Sequence, residues 1–237
     1  RIQGSEVKRE LDEYVYYGGR PEVQSFKSKR AMLSSLYQKI YLGDICARNN
    51  IKNDRVLNIL IKKMAESVKQ PLSYNRLKNV IVATGSPISV PTAIDYVDYA
   101  SDSWLILPLE NEVGKLTEKE MQKKYYFVDN GLLNLFLMNS ETSLLENMVA
   151  VELFRRYGKE NVYYLNADKE IDFIVPDEKL AIQVSYSIKD ETTYNREVPP
   201  LAKYAKAHED WKCLLITYDE EGTEDGIPVV PIWKWLM

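Results

Sequence analysis

Apolar residues recur at helical spacing through the first half of the chain and gather into short strand-like runs in the second half. Residues 5–17 predict a short helix, with Ser5 as its cap. Gly18-Gly19-Arg20-Pro21 predicts a turn, because glycine admits a positive φ and proline sets the next φ. Leu33, Leu36, Tyr37, Ile40 and Tyr41 predict a helix within 26–48. Asp54 is the expected cap of the next helix, whose stripe is Val56, Leu57, Leu60, Ile61 and Met64. Ser73 caps a helix over 74–84, ended by Gly85. Ser89 caps another with Pro91 in its first turn, apolar at Ile94 and Val97. Two strands follow, over 104–109 and 124–128. Three helices and then a two-stranded ribbon is the order of a winged helix. Beyond Asp129-Asn130-Gly131 the pattern changes to a helix over 143–157 and strands over 162–165, 171–176 and 180–186. A helix over 195–207 and strands over 213–217 and 229–232 complete it. The order αβββαβ predicts a mixed sheet with helices on both faces.

Composition narrows the classes. With 237 residues, 45% hydrophobic and 28% charged, the chain is an ordinary globular protein of one to two domains, neither disordered nor collagen-like. A net charge of −4 means that nucleic-acid binding would need a local basic patch. One histidine, His208, excludes His-based zinc sites and reads as an exposed helix-end residue. Two distant cysteines, Cys46 and Cys213, point to reduced thiols in the cytoplasm. No apolar run approaches the roughly 18 residues of a membrane span. The first residue is Arg, which reads as a piece of a longer polypeptide, and no GxxxxGK[ST] phosphate loop is present.

The αβββαβ order with acids on the first helix and second strand is the frame of PD-(D/E)XK nucleases. That chemistry holds Mg²⁺ between carboxylates to activate a water, with a lysine beside the nucleophile. Glu146 or Glu152 is the helical acid and Asp172, in Glu170-Ile171-Asp172-Phe173, the strand acid. Glu146 and Asp172 are the expected metal ligands. The third strand should supply acid-x-Lys but reads Gln183-Val184-Ser185. A neutral amide and a hydroxyl replace two charges, and one such electrostatic contact is worth about 2.7–4 kcal/mol of transition-state stabilisation. Lys169, Lys179 or Lys189 would have to take over the lysine's role.

Leu145-Glu146-Asn147-Met148-Val149, Glu152-Leu153, Glu170-Ile171-Asp172-Phe173, Ile182-Gln183-Val184-Ser185-Tyr186 and Arg196-Glu197 resemble the C-terminal region of a prokaryotic AAA-type ATPase family. Tyr17-Gly18-Gly19-Arg20-Pro21-Glu22 and Tyr125 to Leu132 match the same family upstream. The resemblance implies a P-loop ATPase domain on the same polypeptide, and ATP only through it. It further implies a winged helix followed by a restriction-endonuclease-like domain. The expected division is a helical lid-like segment over 1–54, a winged helix over 55–131 and a nuclease-like domain over 132–237, α+β overall. Gly19 and Pro21 resemble the glycine-x-proline element with which some signalling ATPases touch the nucleotide.

Each of these residues also has a plainer reading. Glu152 and Arg156 stand at i,i+4, and Glu146 at a helix start is favoured by the helix dipole. Asp172 alternates with Ile171 and Phe173 and reads equally as a solvent-facing position. Arg196-Glu197 suits a helix start, and Gly19-Arg20-Pro21 a simple turn. On the winged helix, Thr92 and Tyr96 would face DNA, with Lys115, Lys123 and Lys124 in the wing. Asp95, Asp98 and Asp102 make that helix acidic, which repels phosphate and favours a protein partner. The leading expectation is a non-catalytic module of an ATPase that binds nucleic acid or protein. The alternatives are a metal-dependent DNA endonuclease using Glu146 and Asp172, and a defence-type or toxin–antitoxin regulator that only binds DNA.

Overall fold

The computed structural model describes residues 4–52, 54–167 and 170–237. It is a mixed α/β structure, α+β overall. Packing divides the chain into a sheet unit (Arg1–Leu11, Leu109–Lys115, Glu141–Met237) and a helical unit (Asp12–Pro108, Leu116–Ser140). The stretches expected as a lid-like segment and a winged helix therefore share one unit from Asp12 onward, apart from Leu109–Lys115.

In the chain's first part, α1 (Gly4–Tyr17), α2 (Pro21–Gln24) and α3 (Lys29–Gln38) lead into a nine-residue π-helix, Lys39–Ala47. The spacing predicts a continuous helix here. The wider turn still buries Ile40, Tyr41, Ile45 and Cys46 and leaves Leu42 exposed. Periodicity does not separate the two geometries, and π-turns of this length are rare. Then come α4 (Asp54–Glu66), β1 (Leu72–Ser73), α5 (Tyr74–Ala83) and α6 (Val90–Asp102). Asp54 is the first residue of α4 rather than its cap. Ser5 lies within α1, and its side chain is outside the described residues. Ser73 and Ser89 cap as expected, each hydroxyl accepting an N–H three residues on, from Arg76 and Thr92 at 3.2 Å. All five apolar residues of the α4 stripe are buried.

β2 (Ile106–Asn111), a short α7 (Leu116–Met121) and β3 (Gln122–Phe127) follow. β1 pairs antiparallel with β3, Leu72 opposite Lys123. α8 (Asn130–Asn134) is capped by Asp129. Asp129 is buried, and its carboxylate accepts N–H groups from Gly19 at 3.1 Å, Gly131 at 2.9 Å and Leu132 at 3.4 Å. Asn130 and Asn134 donate to the α1 carbonyls of Val15 and Tyr16 at 3.0 and 2.9 Å. These bonds lock the end of α1 onto the start of α8, and glycine is required at the junction. Gly18 has φ +76°, and a Cβ at Gly131 would sit 2.4 Å from the Tyr17 carbonyl oxygen.

The sheet unit runs α9 (Glu141–Tyr157), β4 (Tyr163–Asn166), β5 (Glu170–Val175), β6 (Leu180–Val184), α10 (Glu191–Ala207) and β7 (Lys212–Thr217), which is the expected αβββαβ order. β8 (Gly222–Glu224), β9 (Ile227–Pro231) and α11 (Ile232–Leu236) extend it. Its strand order is β2-β4-β5-β6-β7-β9-β8. β4, β5 and β6 are antiparallel, and β6, β7 and β9 parallel. Val198, Leu201 and Ala202 of α10 pack in one core cluster with Ile174, Ala181, Cys213, Leu215 and Val229. α10 starts four residues earlier than the apolar spacing suggests, because Asp190 caps it by accepting the Thr193 N–H at 2.9 Å. No helix among the described residues is long and apolar enough to cross a membrane. Cys46 and Cys213 are free and buried.

The α1–α8 junction makes a direct stability prediction. In Gly131→Ala the new methyl meets fixed backbone, so the melting temperature should fall by several degrees, as expected for a loss of about 1–3 kcal/mol. Gly43→Ala meets nothing within 4 Å and should leave the melting temperature unchanged or raise it. Equal melting temperatures for Gly131→Ala and the unmodified chain would contradict the close approach.

Candidate functional site

Phe173 pairs with Ile182 across β5 and β6, so one step toward the start of β5 the register sets Asp172 opposite Gln183. Strand alternation then places both on the same sheet face as Ile174 and Ala181, the face covered by α10. Asp172, Gln183 and Glu197 of α10 are all buried. Asp172 Oδ2 accepts the Val184 N–H at 2.9 Å, and Gln183 Oε1 accepts the Asp172 N–H at 3.3 Å. Gln183 Nε2 donates to Glu197 Oε2 at 2.5 Å, and Arg196 donates to Glu197 Oε1 at 2.7 Å. The solvent-facing reading of Asp172 is thereby corrected, since the position faces a helix. Arg196–Glu197 does form the expected pair, inside α10 rather than at its start.

Burial raises the Glu197 carboxyl above its ordinary range, and the nearby Asp172 charge raises it further. The Gln183 amide and Arg196 oppose this without prevailing. The donor at Gln183 is what lets two acids share one buried place. Its amide nitrogen points at one carboxylate, and its oxygen is used by the backbone of the other. Mg²⁺ takes an octahedron of oxygen ligands. With its Nε2 donating to Glu197, Gln183 presents a donor rather than an oxygen ligand on that side, so Asp172, Gln183 and Glu197 as arranged do not form an oxygen set for that ion.

The remaining nuclease-like positions have the following surroundings. Glu152 is tied to Arg155 at 2.6 Å and to Arg156 at 2.5 Å, so its i,i+4 pairing is realised. Burial works against its ionisation, but the two guanidiniums hold its carboxyl below the ordinary range. Its oxygens serve this ion pair rather than a metal. Glu146 is buried in α9, a helix that packs on β6. The Ser185 hydroxyl donates to the Ser187 carbonyl at 2.9 Å. Lys179 is exposed and paired with Asp210 at 2.5 Å, and Lys189 is exposed and lies 3.8 Å from Glu220. Lys169 lies outside the described residues.

On α6, Thr92 and Tyr96 are half-buried, and the Thr92 hydroxyl lies 2.8 Å from that of Ser89 in the cap. Asp98 is raised by burial and by neighbouring Asp102 and Asp95. Lys115 is exposed but belongs to the sheet unit, whereas Lys123 and Lys124 belong to the helical unit. Lys124 is fully buried rather than at the surface position expected of a wing lysine. Lys123 lies 3.5 Å from Glu120 with little exposure. The Gly19 N–H is spent on Asp129 and Pro21 is an exposed first residue of α2, so the turn reading of Gly19-Arg20-Pro21 accounts for both. His208 is half-buried and stacks on Tyr204 with ring centroids 4.0 Å apart, instead of lying exposed.

Glu197 is the central residue that the sequence reading left out of the site. Its signal was present, because an acid interrupts the apolar stripe Tyr194, Val198, Leu201 and Ala205 at a position that stripe would bury.

Glu197 also fixes a pH dependence. A carboxyl raised in the folded state gives stability that is complete below its unfolded pKa and is lost as pH rises through its folded pKa. Glu197→Gln removes that loss. The stability difference between this variant and the unmodified chain should therefore shift in favour of the variant as pH rises from 4 to 8 in urea unfolding. A difference that shifts the other way would contradict the assignment.

Residues 8–144 match a domain of unknown function, DUF8612. An uncharacterized protein of Methanocaldococcus jannaschii is 30% identical over 256 residues, an alignment covering 99% of this chain and 57% of the relative. An uncharacterized protein of Haemophilus influenzae is 30% identical over 241 residues, covering 98% of this chain and 58% of the relative. The chain thus spans just over half the length of these curated relatives. No solved structure matches it. The match over more than half of the residues places the chain in the DUF8612 family.

Proposed function

We propose that the chain is a non-catalytic binding module of a prokaryotic, cytoplasmic AAA-type ATPase. In this reading it works beside a P-loop domain on the same polypeptide, where ATP would bind, and its nuclease-like centre is a structural relic. The observation that carries the reading is the placement of Gln183 and Ser185. They occupy the acid and lysine positions of the frame, and both side chains are committed to internal hydrogen bonds. Those two positions thus supply neither a carboxylate nor a lysine. The helical unit supplies the binding surface. The acids on α6 and the burial of Lys124 favour a protein partner over DNA.

One observation favours the endonuclease alternative, namely that Glu197 brings a second acid to the Asp172 centre. A cleavage assay with Mg²⁺ and Mn²⁺ on single-stranded, duplex and branched DNA decides between the two. The unmodified chain, Asp172→Ala and the double variant Gln183→Glu plus Ser185→Lys are compared. The binding-module reading expects no cleavage by the unmodified chain. Cleavage that disappears in Asp172→Ala would overturn it.

A further inference from the structure

A second polar site lies on the other face of the sheet. Leu180 opens β6 and pairs with Lys212 at the start of β7. Leu180, Lys212 and Leu214 share the face opposite Ala181 and Gln183. There they line a cavity of about 410 Å³ together with Arg156 at the end of α9 and Lys234 and Trp235 of α11. This volume is within the roughly 300–1,000 Å³ of small-molecule sites. Three cations line the cavity, against one acid, Glu178.

Two of the cations are poised for an anion. The Arg156 guanidinium is held from three sides: Nε donates to Glu152 at 2.5 Å, Nη2 to the Trp235 carbonyl at 3.0 Å, and its carbon stands 4.4 Å from the centre of the Trp235 ring. Its remaining nitrogen, Nη1, has no hydrogen-bond partner among the described residues. A guanidinium fixed in this way loses little entropy on binding, and its free Nη1 can donate to a phosphate oxygen. The Lys212 ammonium is exposed and forms no ion pair among the described residues. Lys234 is paired with Glu221. Leu180, Leu214 and Trp235 supply apolar surface beside these charges, so the cavity matches a ligand with an anionic end and an apolar or planar body.

We propose that this cavity binds an organic phosphate, with the phosphate on Arg156 Nη1 and Lys212 and the organic body against Leu180, Leu214 and Trp235. The site is separate from the Asp172 centre and does not depend on the fate of the nuclease-like chemistry. Isothermal titration calorimetry of the full chain with AMP, pyrophosphate and adenosine tests it. AMP should bind one to one and saturate below about 10 mM, more tightly than adenosine. Lys212→Glu, an exposed substitution, should weaken AMP at least about tenfold, the equivalent of about 1.4 kcal/mol. Arg156→Lys keeps the charge but loses the Nη1 donor held in place by Glu152 and Trp235, and should also weaken it. Lys206→Glu, an exposed lysine of α10 outside the cavity, should leave binding unchanged. The proposal is overturned by no AMP binding, by adenosine binding as well as AMP, or by Lys212→Glu and Lys206→Glu acting alike.

Discussion

A carboxylate removed from water must be given donors, and the sheet unit is arranged around that requirement. Asp172 and Glu197 both lie buried beneath α10, one on a strand and one on the helix itself. Gln183 stands between them, giving its N–H to Glu197 and its oxygen to the Asp172 backbone, while the Val184 N–H and Arg196 serve the outer oxygens. These bonds cross from β5 to β6 to α10. They fix the helix over the strands at one register, where apolar packing of Val198 and Leu201 alone would tolerate sliding. A glutamate at position 183 would bring a third negative charge into the same space, whereas glutamine supplies a donor. The residue that departs from the nuclease pattern is therefore the one that completes the internal network.

The helical unit solves the same problem with backbone. Asp129 is buried and takes three N–H groups, from Gly19, Gly131 and Leu132. Burial raises its carboxyl above the ordinary range even so, with those bonds and the Arg20 charge acting against the rise. The Gly-Gly-Arg-Pro turn and the Asp-Asn-Gly motif, more than 100 residues apart, are two halves of one joint. That explains why glycine is needed on both sides of it. The Gly19 amide of that turn is used within the joint.

Much of the fold was legible in the sequence because apolar spacing reports burial directly. The α4 stripe, the Ser73 and Ser89 caps and the αβββαβ order all follow from local pattern. What local pattern could not show depended on partners distant in sequence or on backbone geometry. A π-helix and an α-helix bury similar apolar sets. Asp190 moved the start of α10 because a capping hydrogen bond, not hydrophobicity, decides where a helix begins. Lys124 reads as a surface lysine until its burial is seen. Asp172 and Gln183 were legible as a pair of positions. Glu197 left a local signal as an acid within the apolar stripe of α10, but its partners on β5 and β6 are distant in sequence, so the stripe alone did not join it to that pair. The phosphate-binding cavity joins residues from α9, β6, β7 and α11, a convergence that no local motif announces.

The binding-module proposal rests on the Asp172 centre working as a hydrogen-bonded network rather than as a metal site. Nuclear magnetic resonance of the ¹⁵N-labelled chain during Mn²⁺ titration tests it most directly, because the ion broadens nearby amide signals whether or not any reaction occurs. The account predicts that the Asp172 and Val184 backbone amides and the Gln183 side-chain amide keep their linewidths while exposed acidic positions broaden. Selective broadening of those three signals at low Mn²⁺ would contradict it.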